Sequence, residues 1–247
     1  MSELLPNPGN DPEVRAPNVV KMLVCLANSR KLSGRCVAGR EIISDRPAAW
    51  IRPVSDREHQ EVSDYERRYE NGGDPRVLEI IAVPLIGARP HRFQQENWLL
   101  DPAHYWQRLS SLNWATLQPF VEPDGPLWIN GQHTQRGLND RIPLNEADQL
   151  RNSLRLIRVD RLSIDVSCPG AAFGNPKRRL QGQFQFQGVW YDLRVTDPVY
   201  EQRLLALPDA RQQLGEACLT ISLGEPFEGY CYKLIAAVIE RAQTEVR

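Results

Sequence analysis

The chain has 247 residues, 41% of them hydrophobic and 25% charged, and its formal net charge is −1. This composition excludes an intrinsically disordered protein, and no apolar run approaches the roughly 20 residues that a membrane-spanning helix needs. The length allows one large domain, or two domains of about 100 to 130 residues that each bury a core.

The first 18 residues are rich in Pro, Asn, Gly and acidic residues and carry neither the cationic start nor the apolar stretch of a secretory signal. We therefore expect a flexible lead-in over residues 1–18 and a cytoplasmic protein. The five cysteines are odd in number and none is in CxxC spacing, which predicts reduced thiols, most of them buried.

Residues 21–55 combine two apolar, strand-like runs with a dense group of cations. Apolar residues alternate from Met22 to Leu26, as on one buried face of a strand. Between residues 21 and 52 seven cations stand against two acids. Such a concentrated patch on a nearly neutral chain predicts an anion-binding surface, with phosphate as the anion. The KLSGR turn, placed at Ser33–Gly34, could cradle that phosphate or be an ordinary solvated turn.

The middle of the chain is acidic, with ten cations against fifteen acids over residues 51–150. Residues 56–73 are almost wholly polar and indicate an exposed helix or loop, and residues 77–87 predict a strand. An Asp-Pro start and helical spacing of apolar residues predict an amphipathic helix over 101–120. Residues 121–146, rich in Pro, Gly, Asn and Asp, predict a loop, and we place a domain boundary near residue 148.

The second half is basic over residues 151–200 and has a stronger β pattern. Alternation predicts strands over 154–166 and a hairpin over 178–195 that turns at Gln187-Gly188. On the return strand Trp190 shares its face with the polar residues Asp192 and Arg194, so we expect that face to be the exposed one.

A capped helix is expected over residues 196–207, with Asp197 as cap and Pro198 at its start. Two further strands are expected over residues 217–225 and 230–240, although the second segment could be a helix from Lys233 onward. The outline is mainly β with a few helices, which fits small barrels of the OB type and fits a β-sandwich about as well.

No sequence motif for catalysis or metal binding is present. The four histidines lack metal-ligand spacing, and there is no GxSxG, no GxGxxG and no GxxxxGK[ST]. We therefore expect a non-enzymatic binding protein with no cofactor, no metal and no catalytic residues.

Single-stranded nucleic acid is the partner that these residues favour, because such ligands are held by a basic groove with aromatic platforms. The predicted contact residues are cations and tryptophans of the two basic zones: Lys31, Arg35, Arg40, Trp50, Arg52, Lys177, Arg178, Arg179, Trp190 and Arg194. The opposing interpretation is that each tryptophan fills a core.

Two other functions stay open at this point. One is a protein-interaction adaptor within a larger complex, whose partner surface would use four exposed tryptophans of the acidic middle: Trp98, Trp106, Trp114 and Trp128. The other is a nucleotide-binding sensor or enzyme with its phosphate site at the KLSGR turn.

Three segments together resemble the prokaryotic family described as the dual OB-containing domain: LVCLANSRKLSGRCVAG with AWIRPVS, VWYDLRVTDPVYE, and CLTISLGEPFEGYCYKLIAAVI. The resemblance implies two tandem OB-like β-barrels, which we place at residues 19–148 (with a helical insertion) and 149–247. It also implies a setting in bacterial conflict or anti-phage systems, where such modules are presumed to bind nucleic acid or nucleotides. It implies no catalytic residues.

Overall fold

The structure, a computed structural model, describes residues 17–168, 177–208 and 210–244. All but the last two residues of the predicted lead-in therefore lie outside the described residues. Strands predominate and form two sheets, one within residues 19–111 and one within residues 154–240, to which a short strand at 141–143 is added. No helix in the described ranges is long and apolar enough to cross a membrane.

The first sheet is a closed barrel in which one long strand pairs at both ends. Its strands are β1 (Val19–Lys31), β2 (Gly34–Ile43), β3 (Arg46–Val54), β4 (Glu79–Ala88), β5 (Asn97–Leu100) and β6 (Gln107–Ser111). The order is β1-β2-β3-β5-β4-β6, and β1 also pairs with β4, which closes the barrel. Only β3 and β5 run parallel. The closed barrel thus has five strands, with β6 added beside β4, and a five-stranded Greek-key barrel is the OB architecture.

The second sheet repeats this topology. Its strands are β7 (Arg141–Pro143), β8 (Leu154–Val159), β9 (Leu162–Ser167), β10 (Arg179–Phe186), β11 (Val189–Val195), β12 (Arg211–Leu214), β13 (Ala217–Leu223) and β14 (Tyr230–Glu240). Strands β8 and β9 act as one bent first strand, because β8 pairs with β13 while β9 pairs with β10. The parallel pair β11–β14 corresponds to β3–β5. The chain therefore folds into two OB-like barrels.

The helices are short: α1 (Asp64–Arg67), α2 (Trp114–Leu117), a 3-10 turn (Gln118–Phe120), α3 (Leu144–Ala147), α4 (Pro198–Leu205) and α5 (Arg241–Thr244). The predicted cap of α4 is confirmed, since the Asp197 carboxylate accepts a hydrogen bond from the Val199 amide at 2.9 Å. The predicted hairpin turn is confirmed too. Gln187 and Gly188 both have positive φ, as a two-residue hairpin turn of the favoured hand requires.

The helix predicted over 101–120 is present only at its end, where residues 114–117 form α2 and residues 118–120 form the 3-10 turn, and the prediction is wrong for residues 101–113. Asp101 accepts a hydrogen bond from the Ala103 amide at 3.0 Å in a local turn instead of capping a helix. Residues 107–111 then form β6, whose five side chains are all exposed. The helical spacing of Tyr105, Leu109 and Leu112 did not indicate a helix here. Residues 107–111 satisfy their backbone hydrogen bonds by pairing with β4 instead.

Most of the remaining elements agree with expectation or refine it, but the segment 56–73 is not wholly exposed, because Val62 and Tyr69 are buried in the core of the first barrel. Residues 230–240 are a strand throughout, and the first turn lies at Leu32–Ser33, one residue before the predicted position. Strand β7 pairs with β14, so the segment before residue 148 adds to the second sheet. The boundary near residue 148 stays a prediction.

The two barrels pack against each other through a shared apolar core. Val24, Leu26 and Trp50 of the first barrel lie in one buried cluster with Leu156 and Ala236 of the second. The Thr220 hydroxyl donates to the Leu26 carbonyl across this interface at 2.6 Å. The barrels consequently form a single packed unit.

Loss of a buried ion pair at the interface should lower the stability of the protein strongly. Arg52 and Glu96 are 4% and 5% exposed, and Arg52 also donates to the Ser153 hydroxyl at 2.7 Å. We expect Arg52→Ala to lower the free energy of unfolding by about 3–5 kcal/mol, because it leaves the Glu96 carboxylate buried and unpaired. Urea denaturation followed by tryptophan fluorescence measures this loss.

The matched control is Arg89→Ala, which removes an arginine that pairs with Asp56, the two side chains being 38% and 80% exposed. Its expected cost is under about 1 kcal/mol, as for other exposed ion pairs. Equal losses in the two variants would contradict the prediction.

Candidate functional site

The outer face of the second barrel across β9, β10 and β11 is polar and open. Buried and more exposed side chains alternate along β10 and β11. Phe184, Tyr191 and Leu193 therefore point into the core, and the residues between them point outward. Trp190 lies on this outer face and is 52% exposed. The predicted exposure of the Trp190 side of the hairpin is therefore confirmed.

One end of this face opens into a cleft of about 1110 Å³. The sheet face forms its floor, and the β13–β14 loop (residues 224–229) and β14 form one wall. Residues 134–140, called the strap below, form another wall. Leu138 of the strap exchanges two backbone hydrogen bonds with Asp192, at 3.1 and 3.0 Å, and so lies along the edge of β11.

Lys233 holds the segment that precedes the strap against β14. Its ammonium is buried and donates to the Ile129 carbonyl at 2.7 Å and to the Asn130 side-chain oxygen at 2.8 Å. Burial lowers the pKa of this lysine to about 7. Because its ammonium donates to residues 129 and 130, Lys233 stabilises the wall of the cleft. Its charge does not face the open part of the cleft.

Most carboxylates of the cleft are already engaged. Asp165 makes a bidentate pair with Arg211 at 2.7 and 2.6 Å. Glu225 pairs with Lys31 at 2.6 Å, and Asp140 accepts from the Thr134 amide and hydroxyl. Asp165 and Glu225 therefore contribute little net repulsion to an incoming anion, whereas Asp140 accepts only from neutral donors and Asp192 has no ion pair in the described ranges.

Two arginines on the sheet face of the cleft have no such compensation. In the described ranges neither Arg179 nor Arg194 has a side-chain hydrogen bond or an ion pair, and the Nε of Arg179 is buried without a partner. Arg194 lies opposite Gln181, two residues from Arg179, so the two arginines are diagonal neighbours about 7–8 Å apart. Burial first, and then the charge of Arg179, lowers the pKa of Arg194. An anion would relieve this like-charge contact.

Aromatic side chains border the same cleft. Phe227, in the β13–β14 loop, lines the cleft and is 62% exposed. Its ring centroid lies 6.4 Å from that of Tyr232. Sequence reasoning missed Phe227. The available signal was an aromatic residue in the polar PFEG turn between two apolar strands, where no core is available to bury it.

The predicted residues of the first basic zone are mostly interior. Trp50 is 8% exposed and donates its indole N–H to Glu122 at 2.8 Å, while Arg40 stacks over the Trp50 ring. Arg52 is buried in its ion pair. Because the other barrel and residues 114–122 cover this side of β2 and β3, Arg40, Trp50 and Arg52 do not form an open stacking surface.

Two members of that zone remain accessible. Lys31 is at the rim of the cleft through its pair with Glu225, and Arg35 is half-buried and lines a different cavity between the barrels. Next to Lys31, Arg30 pairs with Glu201 at 2.6 Å. Two ion pairs thus join the β1–β2 turn of the first barrel to α4 and the β13–β14 loop of the second barrel.

The predicted residues of the second zone lie on or near the open face. Arg179 and Arg194 are in the cleft and Trp190 is on the same sheet surface. Lys177 is exposed just before β10. Arg178 donates to the Leu207 carbonyl at 2.6 Å and so holds the end of α4.

The four tryptophans of the adaptor hypothesis do not form one exposed surface. Trp106 and Trp114 are 0% and 6% exposed, because each fills a core cluster, and Trp98 and Trp128 are half-buried. The expectation that all four are exposed is wrong.

Asp192 should make the stability of the protein depend on pH. Burial, followed by the nearby charges of Asp165 and Asp140, raises its pKa to about 6. The native state therefore holds this proton more tightly than the unfolded state, so this group's contribution to stability falls as the pH rises from about 4 through 6. At pH 7.5, Asp192→Asn should raise the free energy of unfolding by about 1 kcal/mol, a value discounted for partial exposure.

At pH 4 the same substitution should bring no gain, since Asp192 is then protonated. Thermal denaturation at both pH values checks this, with the exposed Asp160→Asn as control. A gain that is the same at both pH values would contradict the assignment.

Comparison with known proteins agrees with this fold. The family model described as the dual OB-containing domain matches residues 21–238, which include nearly all of both barrels. A search of curated proteins finds no match, and neither does a search of solved structures. The chain belongs to the dual OB-containing domain family.

Proposed function

We propose that the second barrel binds single-stranded nucleic acid across its open face, without catalysing a reaction. The observation that carries the proposal is the pair of uncompensated arginines, Arg179 and Arg194, on the face formed by the second and third strands of an OB barrel. This is the face with which OB folds bind oligonucleotides. Phosphates would bind at the arginines, and Trp190 and Phe227 would stack on bases.

The placement of the aromatic rings favours a single strand over a duplex. Trp190 is four residues from Arg194 on one strand face, a separation of about 13 Å, so a chain lying along β11 meets both. Bases in a duplex are stacked on each other and present no free ring to Trp190. In a single strand every base has an available ring face, and base–aromatic stacking contributes about 1–3 kcal/mol per base.

The first barrel has a supporting role in this proposal. Its equivalent face is covered, so Arg40, Trp50 and Arg52 are left out of the proposed contacts, whereas Lys31 at the rim is kept. The family resemblance adds the proposal of a setting in bacterial anti-phage defence, where this chain would work with protein partners.

The direct test is fluorescence anisotropy with labelled single-stranded DNA and RNA of about 20 nucleotides. We expect Trp190→Ala and Phe227→Ala each to weaken binding by about 1–3 kcal/mol, roughly five- to 150-fold, through lost stacking. The double variant Arg179→Ala/Arg194→Ala should weaken it at least as much. The matched control is Arg46→Ala/Arg89→Ala, which removes the same charge from the first barrel.

An unchanged affinity in the cleft variants, or an equal loss in the control, would exclude this face as the site. No binding of either strand at low salt would exclude the function itself.

Salt dependence gives an independent measure of the phosphate contacts. Each contact to a single strand adds about 0.7 to the slope of log affinity against log salt concentration, because counterions are released. The double variant Arg179→Ala/Arg194→Ala should therefore lower this slope by about 1.4, while Trp190→Ala should leave it unchanged. Anisotropy titrations at four salt concentrations give the slopes, and equal slopes in both variants would contradict the assignment of phosphates to these arginines.

A further inference from the structure

Three side chains stand in a row on the outward face of β11: Trp190, Asp192 and Arg194. Consecutive members of the row are about 7 Å apart, so Asp192 lies between the proposed stacking platform and a proposed phosphate contact. Asp192 and Arg194 line the cleft, and Trp190 extends the same surface. A carboxylate at this position repels phosphate, so a bound strand must place some other group beside it.

Asp192 is the carboxylate of the cleft whose acceptor capacity the protein leaves unused. The other three carboxylates of the cleft are held by the partners described above, Arg211, Lys31 and Thr134. Asp192 forms no ion pair with any residue that the structure describes, although two arginines line the same cleft. Its Oδ1 is buried without a hydrogen bond in the described ranges, so Oδ2 provides the surface that this carboxylate presents to the cleft.

The backbone that carries this row is held in place by the strap. Leu138 exchanges two backbone hydrogen bonds with Asp192, and the Gln181 side chain donates to the Asp192 carbonyl at 3.1 Å. The Asn139 side chain donates to the Trp190 carbonyl at 3.0 Å. The spacing between the indole and the carboxylate is therefore set before a ligand arrives, which lowers the entropic cost of binding.

The bases of a single strand can offer Asp192 the donors that phosphates lack. A base stacked on Trp190 presents its edge along the sheet face, toward Asp192. With a pKa of about 6, this carboxylate is ionised at pH 7.5 and can only accept hydrogen bonds. It therefore favours a base edge that carries N–H donors and disfavours one that carries carbonyl oxygens.

Guanine is the standard base whose Watson–Crick edge carries two adjacent donors, the N1–H and the N2 amino group. Both can converge on one carboxylate oxygen. In adenine and cytosine a single amino group adjoins a ring nitrogen that is itself an acceptor, and in thymine and uracil one N–H lies between two carbonyls. The unpaired oxygen beside the Trp190 platform thus matches guanine better than any other base.

We propose that the open face of the second barrel prefers single strands that carry a guanine, and that Asp192 is the residue that selects this base. The inference rests on the proposed function of the face. The guanine ring stacks on Trp190, its N1–H and N2 amino group donate to Asp192 Oδ2, and neighbouring phosphates bind Arg179 and Arg194. The pair with guanine offsets the repulsion between the carboxylate and the strand, and the other bases leave that repulsion in place.

Fluorescence anisotropy at pH 7.5 with labelled oligothymidine strands of about nine nucleotides, within the span of one OB barrel, tests the proposal. The central base is guanine, adenine, cytosine or thymine, and an oligouridine RNA series is measured in parallel. We expect the guanine strand to bind about tenfold more tightly than the other three. Hypoxanthine, which lacks the N2 amino group, should bind more weakly than guanine, and 7-deazaguanine, which keeps the Watson–Crick edge, should bind equally well.

The variant Asp192→Asn separates base selection from folding, because we expect it to be more stable than the unaltered protein at this pH. It should weaken binding of the guanine strand at least fivefold and leave the thymine strand bound as tightly as before or more tightly, since a negative charge is removed. Damage to the fold would weaken both. The matched control is Asp160→Asn, which removes the same charge from the exposed turn between β8 and β9 and should keep the guanine preference.

Equal affinity for the four strands in the unaltered protein would overturn guanine selection and leave nucleic-acid binding by this face intact. A guanine preference that survives in Asp192→Asn would overturn the role of Asp192. An effect of Asp192→Asn on RNA alone, whatever the central base, would assign the carboxylate to a ribose 2′-hydroxyl and overturn the inference. Absence of binding by every strand would remove the proposed function together with it.

Discussion

The packing of one barrel on the other is the constraint on which the rest of this structure depends. Apolar side chains of β1 and the Trp50 ring are buried with residues of β8, β13 and β14, and the Arg52–Glu96 pair is buried beside them. The apolar cluster supplies the favourable free energy, since removing apolar surface from water contributes about 25 cal/mol per Å². The ion pair fixes the relative position of the barrels, because Arg52 also donates to Asn97 and Ser153, although Arg52 Nε and Glu96 Oε2 are buried without partners.

This packing makes two similar barrels unequal. Both have OB topology, and in both the second and third strands provide the face on which OB folds bind ligands. In the first barrel that face holds Trp50 and Arg40, both in contact with Glu122, a residue outside the barrel strands. In the second barrel the same face remains open. A duplicated fold thus yields one structural face and one face available for a ligand.

Electrostatic compensation decides which cations remain available. Lys31, Arg30 and Arg211 each have a carboxylate within 2.7 Å, so their charge is largely used inside the protein. On the sheet face of the cleft, in contrast, Arg179 and Arg194 have no carboxylate partner among the residues that the structure describes. A count of cations along the chain cannot reveal this, because the partner carboxylates are as many as 194 residues away.

Local pattern alone determined much of the fold. The alternation from β8 to β11, the Gln187-Gly188 turn and the Asp197 cap follow from near-neighbour preferences, and they were predicted correctly. The same reasoning failed at β6, where pairing with a distant strand overrode helical spacing. It also placed Trp190 and Arg194 on the outer face of the hairpin, since the strand residues between them are apolar and point inward. It could not distinguish Trp50 from Trp190, because both stand next to cations in strand-like segments. Only the tertiary structure decided that the first is covered by the other barrel and the second is open, since burial of a side chain depends on contacts far away in the sequence.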